Sequence, residues 1–284
     1  MRLIHTPVLF LLALSTVVNA QNTRGATASS YLKRGNDWLA KGEYGKAIAD
    51  FNLAIASAPN AASGYQNRAI ARLRNGDVDG ALADFDRVVS LTPRSAEAWF
   101  SRGLVRKDKG DIDDALADLN QAVGLNPRFT EALLIRAELK FSRQDYDGVI
   151  RDNTRAIQLS PRDVRGWSNR GAARHAKGDL DGAITDYNRA IEIDPRAASP
   201  WFNRATAWRD KGDLNRAASD YDRAIALRPD WASAYAQRGL VRLRQGRESE
   251  AQRDFDKCLA LDNALKDSLE QEIRKVRRRT GAER

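Results

Sequence analysis

Cysteine and histidine are nearly absent from this chain: one Cys and two His stand among 284 residues. A lone thiol forms no intramolecular disulfide, and a zinc site assembled from several Cys and His side chains lacks its ligands. Neither a G-x-x-x-x-G-K-[ST] phosphate loop nor an H-E-x-x-H pair occurs. Beyond residue 20 a Ser-His-acid triad would rest on His175 alone, so the expectation is a chain with no metal, no cofactor and no enzymatic activity. What is present is 42% hydrophobic and 30% charged, a mixture that argues against disorder and for a packed core. The 47 Lys plus Arg against 38 Asp plus Glu give a net charge of +9. That excess suits an anionic partner or simple solubility, because net charge speaks to association and not to fold.

Long apolar runs are confined to the amino end. Arg2 precedes an apolar stretch from Val8 to Val18, with small residues at Val18 and Ala20, the pattern of a secretory signal peptide. Residues 1–20 are read as that leader, with cleavage after Ala20, and residues 21–27 as a short segment before the body of the chain. An uncleaved membrane anchor is the other reading; the run is shorter than the roughly 20 residues a span needs, and no Cys follows it to take a lipid. Export argues against nucleic acid as a partner.

The rest repeats every 34 residues. The signals KGEY, NGDV, KGDI, RQDY, KGDL, KGDL and QGRE recur at that interval, and seven copies fill residues 28–265 without insertion or deletion. Small residues hold the eighth position (Gly35, Ala69, Gly103, Ala137, Gly171, Ala205, Gly239) and, with few exceptions, the twentieth and twenty-seventh. Mostly large residues hold the fourth (Tyr31 to Tyr235) and the twenty-fourth (Phe51, Phe85, Leu119, Asn153, Tyr187, Tyr221, Phe255). Small columns let antiparallel helices approach, and large ones interlock with them. Gly between the two helical stretches marks a turn in six copies, and Pro59, Pro93, Pro127, Pro161, Pro195 and Pro229 stop the second helix. Residues such as Asp79, Asp113, Asp147 and Asp181 are N-cap types or first-turn acids for that helix.

These columns resemble the tetratricopeptide repeat. The resemblance implies an all-α solenoid of seven helix-turn-helix repeats, wound into a right-handed superhelix whose concave face binds protein or peptide. Neighbouring repeats then supply each other's core.

Two columns depart from that family. The seventh position, usually Leu, is Arg in every copy (Arg34, Arg68, Arg102, Arg136, Arg170, Arg204, Arg238), and the twenty-third is always Asp (Asp50 to Asp254). Matched columns of opposite sign predict a ladder of Arg–Asp pairs, since the guanidinium fork fits carboxylate. An anion-binding strip is the functional alternative. Repeat four is irregular, with Gln144 for the turn Gly, Val149 for Ala and Asn153 for the aromatic.

In the family the fifth, ninth and twelfth positions line the groove. Carried over, the candidate peptide-binding residues are Leu32, Asn36, Leu39, Ile70, Leu73, Phe100, Leu104, Lys107, Leu134, Phe141, His175, Phe202 and Arg209. The first four repeats read as an exposed apolar stripe, with Phe100 and Phe141 as anchors; the alternative is that the chain itself covers part of it. Asn36 matches one position of the family's carboxylate clamp, but Leu32 stands where its Lys belongs, so a clamp for a carboxy-terminal tail is not supported. His175 reads as a groove residue and Cys258 as buried packing.

Residues 266–284 read as a basic capping helix and tail. Leu265, Leu269, Ile273 and Val276 share one face, and Arg274, Lys275, Arg277, Arg278 and Arg279 concentrate positive charge. Docking of those cations to an anionic envelope surface or cell-wall polymer is the rival to groove binding. Export together with the repeat style points to the periplasm, with secretion as the alternative; oligomeric state is left open.

Overall fold

The structure, a computed structural model, describes residues 23–280, with side chains over 27–278. The leader read over residues 1–20 lies outside the described residues. Among those described, all regular structure is helical and no helix is long and apolar enough to cross a membrane. The helices form two compact units that divide between Ala132 and Leu133.

In the first unit lie α1 (Thr23–Ala40), α2 (Tyr44–Ser57), α3 (Ala62–Arg74), α4 (Val78–Leu91), α5 (Ala96–Lys109) and α6 (Ile112–Leu125), with the first turn of α7 (Thr130–Ser142). The second holds the rest of α7, then α8 (Tyr146–Leu159), α9 (Val164–Ala176), α10 (Leu180–Ile193), α11 (Ala198–Lys211), α12 (Leu214–Leu227), α13 (Ala232–Arg244) and α14 (Glu248–Leu261). After a short 3₁₀ turn comes α15 (Lys266–Thr280). The odd helices through α13 open repeats and the even ones close them.

The turn within a pair needs a left-handed residue, as at Gly110, whose φ is 92°. The capping Asp follows one residue later: Asp77, Asp145, Asp179 and Asp213 each accept a backbone N–H from the first turn, so Asp79, Asp147 and Asp181 sit inside the helix as first-turn acids. Repeat four forces Gln144 into the same region with φ 61°. A side chain there costs roughly 1–2 kcal/mol, partly offset by the chain entropy that Gly would add to the unfolded state. Gln144→Gly is therefore expected to stabilise the protein by about 0.5–1 kcal/mol, measured as a raised urea midpoint at unchanged slope.

Small meets large as the columns predict. A Cβ on Gly171 would lie 2.7 Å from Cε1 of Tyr187, so the ring packs directly on the backbone of α9. Tyr187 and Tyr221 are fully buried; burial pushes the Tyr221 phenol up to about 12, while a hydrogen bond with the Thr206 hydroxyl at 2.9 Å pulls the other way. Asn153 occupies the same column in repeat four. It is wholly buried, its amide donates to the Val149 carbonyl at 2.9 Å, and its Oδ1 has no partner among the described residues.

The Arg–Asp columns form the ladder. Arg102 Nε and Nη2 donate to the two carboxylate oxygens of Asp118 at 2.9 and 2.6 Å, and the other six repeats repeat this fork. The eleventh position adds a second cation, and a third bond, to the same aspartate: Arg72, Arg106, Lys140, Arg174 and Arg242, at 2.8–2.9 Å. Nη1 reaches back to the preceding repeat, from Arg68 to Asn52, Arg102 to Asp86, Arg204 to Asn188 and Arg238 to Asp222. Six of these guanidinium groups also lie near the fourth-position ring, 4.9 Å from the Trp99 centroid for Arg102, whereas Arg136 has Leu133 at that position; the Trp99 indole donates to the Pro93 carbonyl at 3.0 Å. The buried aspartates are thus saturated and the arginines engaged, which leaves no anion-binding strip in this column.

Candidate functional site

In each unit successive opening helices touch, α1 with α3 in the first and α9 with α11 and α11 with α13 in the second. They form a layer distinct from the closing helices, and the residues carried over from the groove lie on it.

The apolar stripe of the first four repeats is not exposed as expected. Phe100 is 7% exposed, Leu104 5% and Leu134 3%. Phe100 packs against Phe129 from the following loop, ring centroids 4.7 Å apart and planes tilted by 45°, because burying such a ring inside the chain is worth about 1.5–3 kcal/mol. It does not serve as an anchor for a partner. Leu32 and Leu39 are half-buried against Phe51 and Ala71, and Leu73 against the cluster around Phe85. Ile70 is half-buried, Asn36 is exposed and accepts from the Asn67 amide at 3.1 Å, and the Lys107 ammonium lies 3.8 Å from Asp108. Phe141, half-buried, meets the edge of Tyr146 at 5.4 Å.

The second unit presents a polar face. His175 Nε2 and Asp210 Oδ2 are 2.9 Å apart, joining α9 to α11. Arg209 donates to the Gln237 side chain, joining α11 to α13, and also holds Asp210. Phe202 lies edge-on to Tyr221 at 5.4 Å and stacks on Trp231 at 4.4 Å. Among these cross-links sit groups with no use inside the fold. The sixth-position amides Asn169 and Asn203, one repeat apart and half-buried, make no intramolecular hydrogen bond among the described residues, and the Ser168 hydroxyl beside Asn169 is buried without a partner. An amide offers both donor and acceptor, the set a peptide unit requires.

The sixth position lies outside the groove columns carried over from the family. Its signal is legible: Asn67, Asn169, Asn203 and Gln237 place an amide there in four of seven repeats.

At the carboxy end α15 packs on α13, with Leu269 and Val276 buried against Ala236, Leu240, Leu243, Phe255 and Cys258. Arg274 lies 3.9 Å from Glu270 and Lys275 donates to Glu272 at 2.7 Å, pairs within the helix, while Arg277 and Arg278 are exposed. The side chain of Arg279 lies outside the described residues.

Models of the tetratricopeptide repeat match residues 68–140 and 232–265, and a TPR repeat model matches 171–208 and 206–246. No curated protein matches the chain. Among solved structures, a tetratricopeptide repeat protein from Parabacteroides merdae is 21% identical, covering 89% of this chain and 99% of its own with a TM-score of 0.65. The carboxy-terminal part of a TPR repeat-containing protein from Cytophaga hutchinsonii is 17% identical over 84% of this chain and 98% of its own, with a TM-score of 0.67. YrrB, described as a TPR protein with an unusual peptide-binding site, is 22% identical over 65% of this chain and 95% of its own, with a TM-score of 0.58.

Proposed function

We propose that this chain, which belongs to the tetratricopeptide repeat family, is an exported scaffold that binds a partner polypeptide on the face of α9, α11 and α13. The observation that carries the reading is the repeated pair of unpartnered amides at Asn169 and Asn203, with the Ser168 hydroxyl between the cross-links. Hydrogen-bonding groups held at fixed intervals on rigid helices suit the backbone of an extended segment, and the stacked rings of Phe202 and Trp231 offer an apolar neighbour for its side chains. YrrB supports peptide binding as a use of this fold, and the chemistry of the face is what selects the ligand. The role is binding, with no bond made or broken.

Photo-crosslinking in the envelope, comparing wild type with Asn169→Ala plus Asn203→Ala, tests this. The double variant is expected to lose its main crosslinked partner while keeping the wild-type helical melt; identical partner profiles overturn the reading. Export has its own check: a mature chain beginning at Gln21 supports it, and a chain retaining residues 1–20 in the cytoplasm opposes it. Deleting residues 274–284 should leave the crosslinked partner in place, since the rival reading alone places the ligand on the basic end of α15.

A further inference from the structure

In the second unit the two ends of the helix pairs differ in charge. The turn within an antiparallel pair and the connection to the next pair lie at opposite ends of helices about 20 Å long. Connections 155–165, 189–199 and 223–233 carry seven arginines against four acids, whereas the first three turns, 143–147, 177–181 and 211–215, carry five aspartates against three basic residues; the last turn, 245–249, is balanced, with Arg247 and Glu248.

The arginines at the connections differ from those of the ladder. Arg162 and Arg196, each following a proline, are exposed, and their guanidinium groups have no partner among the described residues. Arg155 and Arg189 reach only Gln158 and Glu192 on their own helices. Arg223 and Arg228 lie 5.9 and 3.8 Å from the Trp201 and Trp231 centroids. Arg204 also lies 4.8 Å from Trp201, so guanidinium groups flank that ring and little stacking platform remains for the bases of a single-stranded nucleic acid. The edge presents charge. At the other end the side chains of Asp147 and Asp181 are 65% and 80% exposed, and their bonds from Lys177 and Lys211 run along the edge from one turn to the next. Both rows recur every 34 residues, so a row on one molecule meets the opposite row on another at the same spacing.

We infer that the protein associates with a second copy of itself edge to edge, the arginine-bearing connections of one second unit against the aspartate-bearing turns of another. The contact is heterologous, each copy keeps one unused edge of either sign, and growth is open unless rotation closes a ring.

Sedimentation of the full chain is the test. At about 10 mM salt, where the screening length is about 30 Å, mass is expected to rise with concentration above the 31.6 kDa monomer, and at about 1 M salt, with screening near 3 Å, to return to it. Arg162→Glu plus Arg196→Glu should weaken association at least tenfold, and Asp179→Lys plus Asp181→Lys likewise, with thermal melts showing that both fold. Mixing the two variants should restore association, because each reversed edge now faces its complement. A wild-type chain that stays monomeric at low salt overturns the inference, as does a mixture that fails to associate. Retention on a phosphate polymer without self-association would assign the arginines to a polyanion instead.

Discussion

Asp118→Ala should destabilise the protein by about 3–5 kcal/mol, the cost of removing one partner from a buried, charge-assisted network. Asp118 is 1% exposed and neutralises two cations at once, Arg102 through a two-bond fork and Arg106 through a third bond at 2.8 Å. Without it both guanidinium groups stay in the seam between α5 and α6, with only Asp86 at 2.8 Å from Arg102 for compensation. Repeat arrays unfold by units, so the loss should appear first as faster amide exchange in these two helices. Replacing the whole cluster gives the opposite result. Arg102→Leu, Arg106→Leu and Asp118→Leu together should recover most of the loss, since apolar residues of similar volume often match a buried ion network in stability. Urea unfolding of both proteins decides the matter: an Asp118→Ala cost below 1 kcal/mol would mean that water reaches the site and the ladder is a surface feature.

The period of 34 made the architecture legible because a helix pair must reuse the same small, large, turn and cap chemistry each time it stacks. The seam at Gly171 and Tyr187, the positive-φ turn at Gly110 and the Arg–Asp pairing all follow from columns visible in the chain. The face of the opening helices was harder to read. Phe100 and Leu134 occupy columns that point toward a groove in other repeats, yet helical spacing gives direction and not cover, and Phe129 from a loop buries the Phe100 ring. That the amides at Asn169 and Asn203 lack partners is hidden from the sequence for the complementary reason. An amide draws notice only when its partners are accounted for, which requires every neighbour's position.

Removing α15 by ending the chain at Asn263 should open the last helix pair and make Cys258 reactive. Cys258 is fully buried and burial pushes its thiol up, so in the intact protein it is expected to resist alkylation at neutral pH. Leu269 and Val276 cover the cluster that contains it, together with Leu240, Leu243 and Phe255. Stripping two apolar side chains from such a core costs about 2–5 kcal/mol for each leucine-sized residue, so a local loss of at least 3 kcal/mol is a conservative expectation. At 1.4 kcal/mol per tenfold, that raises the open population of α13 and α14, and the labelling rate with it, about a hundredfold. Leu269→Ala is the milder version and should give a smaller rise in the same direction. The effect should be confined to the end of the array, because each repeat draws its core from its neighbours alone, and exchange in α9 and α10 should stay at wild-type rates. A truncated chain whose Cys258 remains silent would show that α14 is held by α13 without the terminal helix, and α15 would then be a dispensable cover.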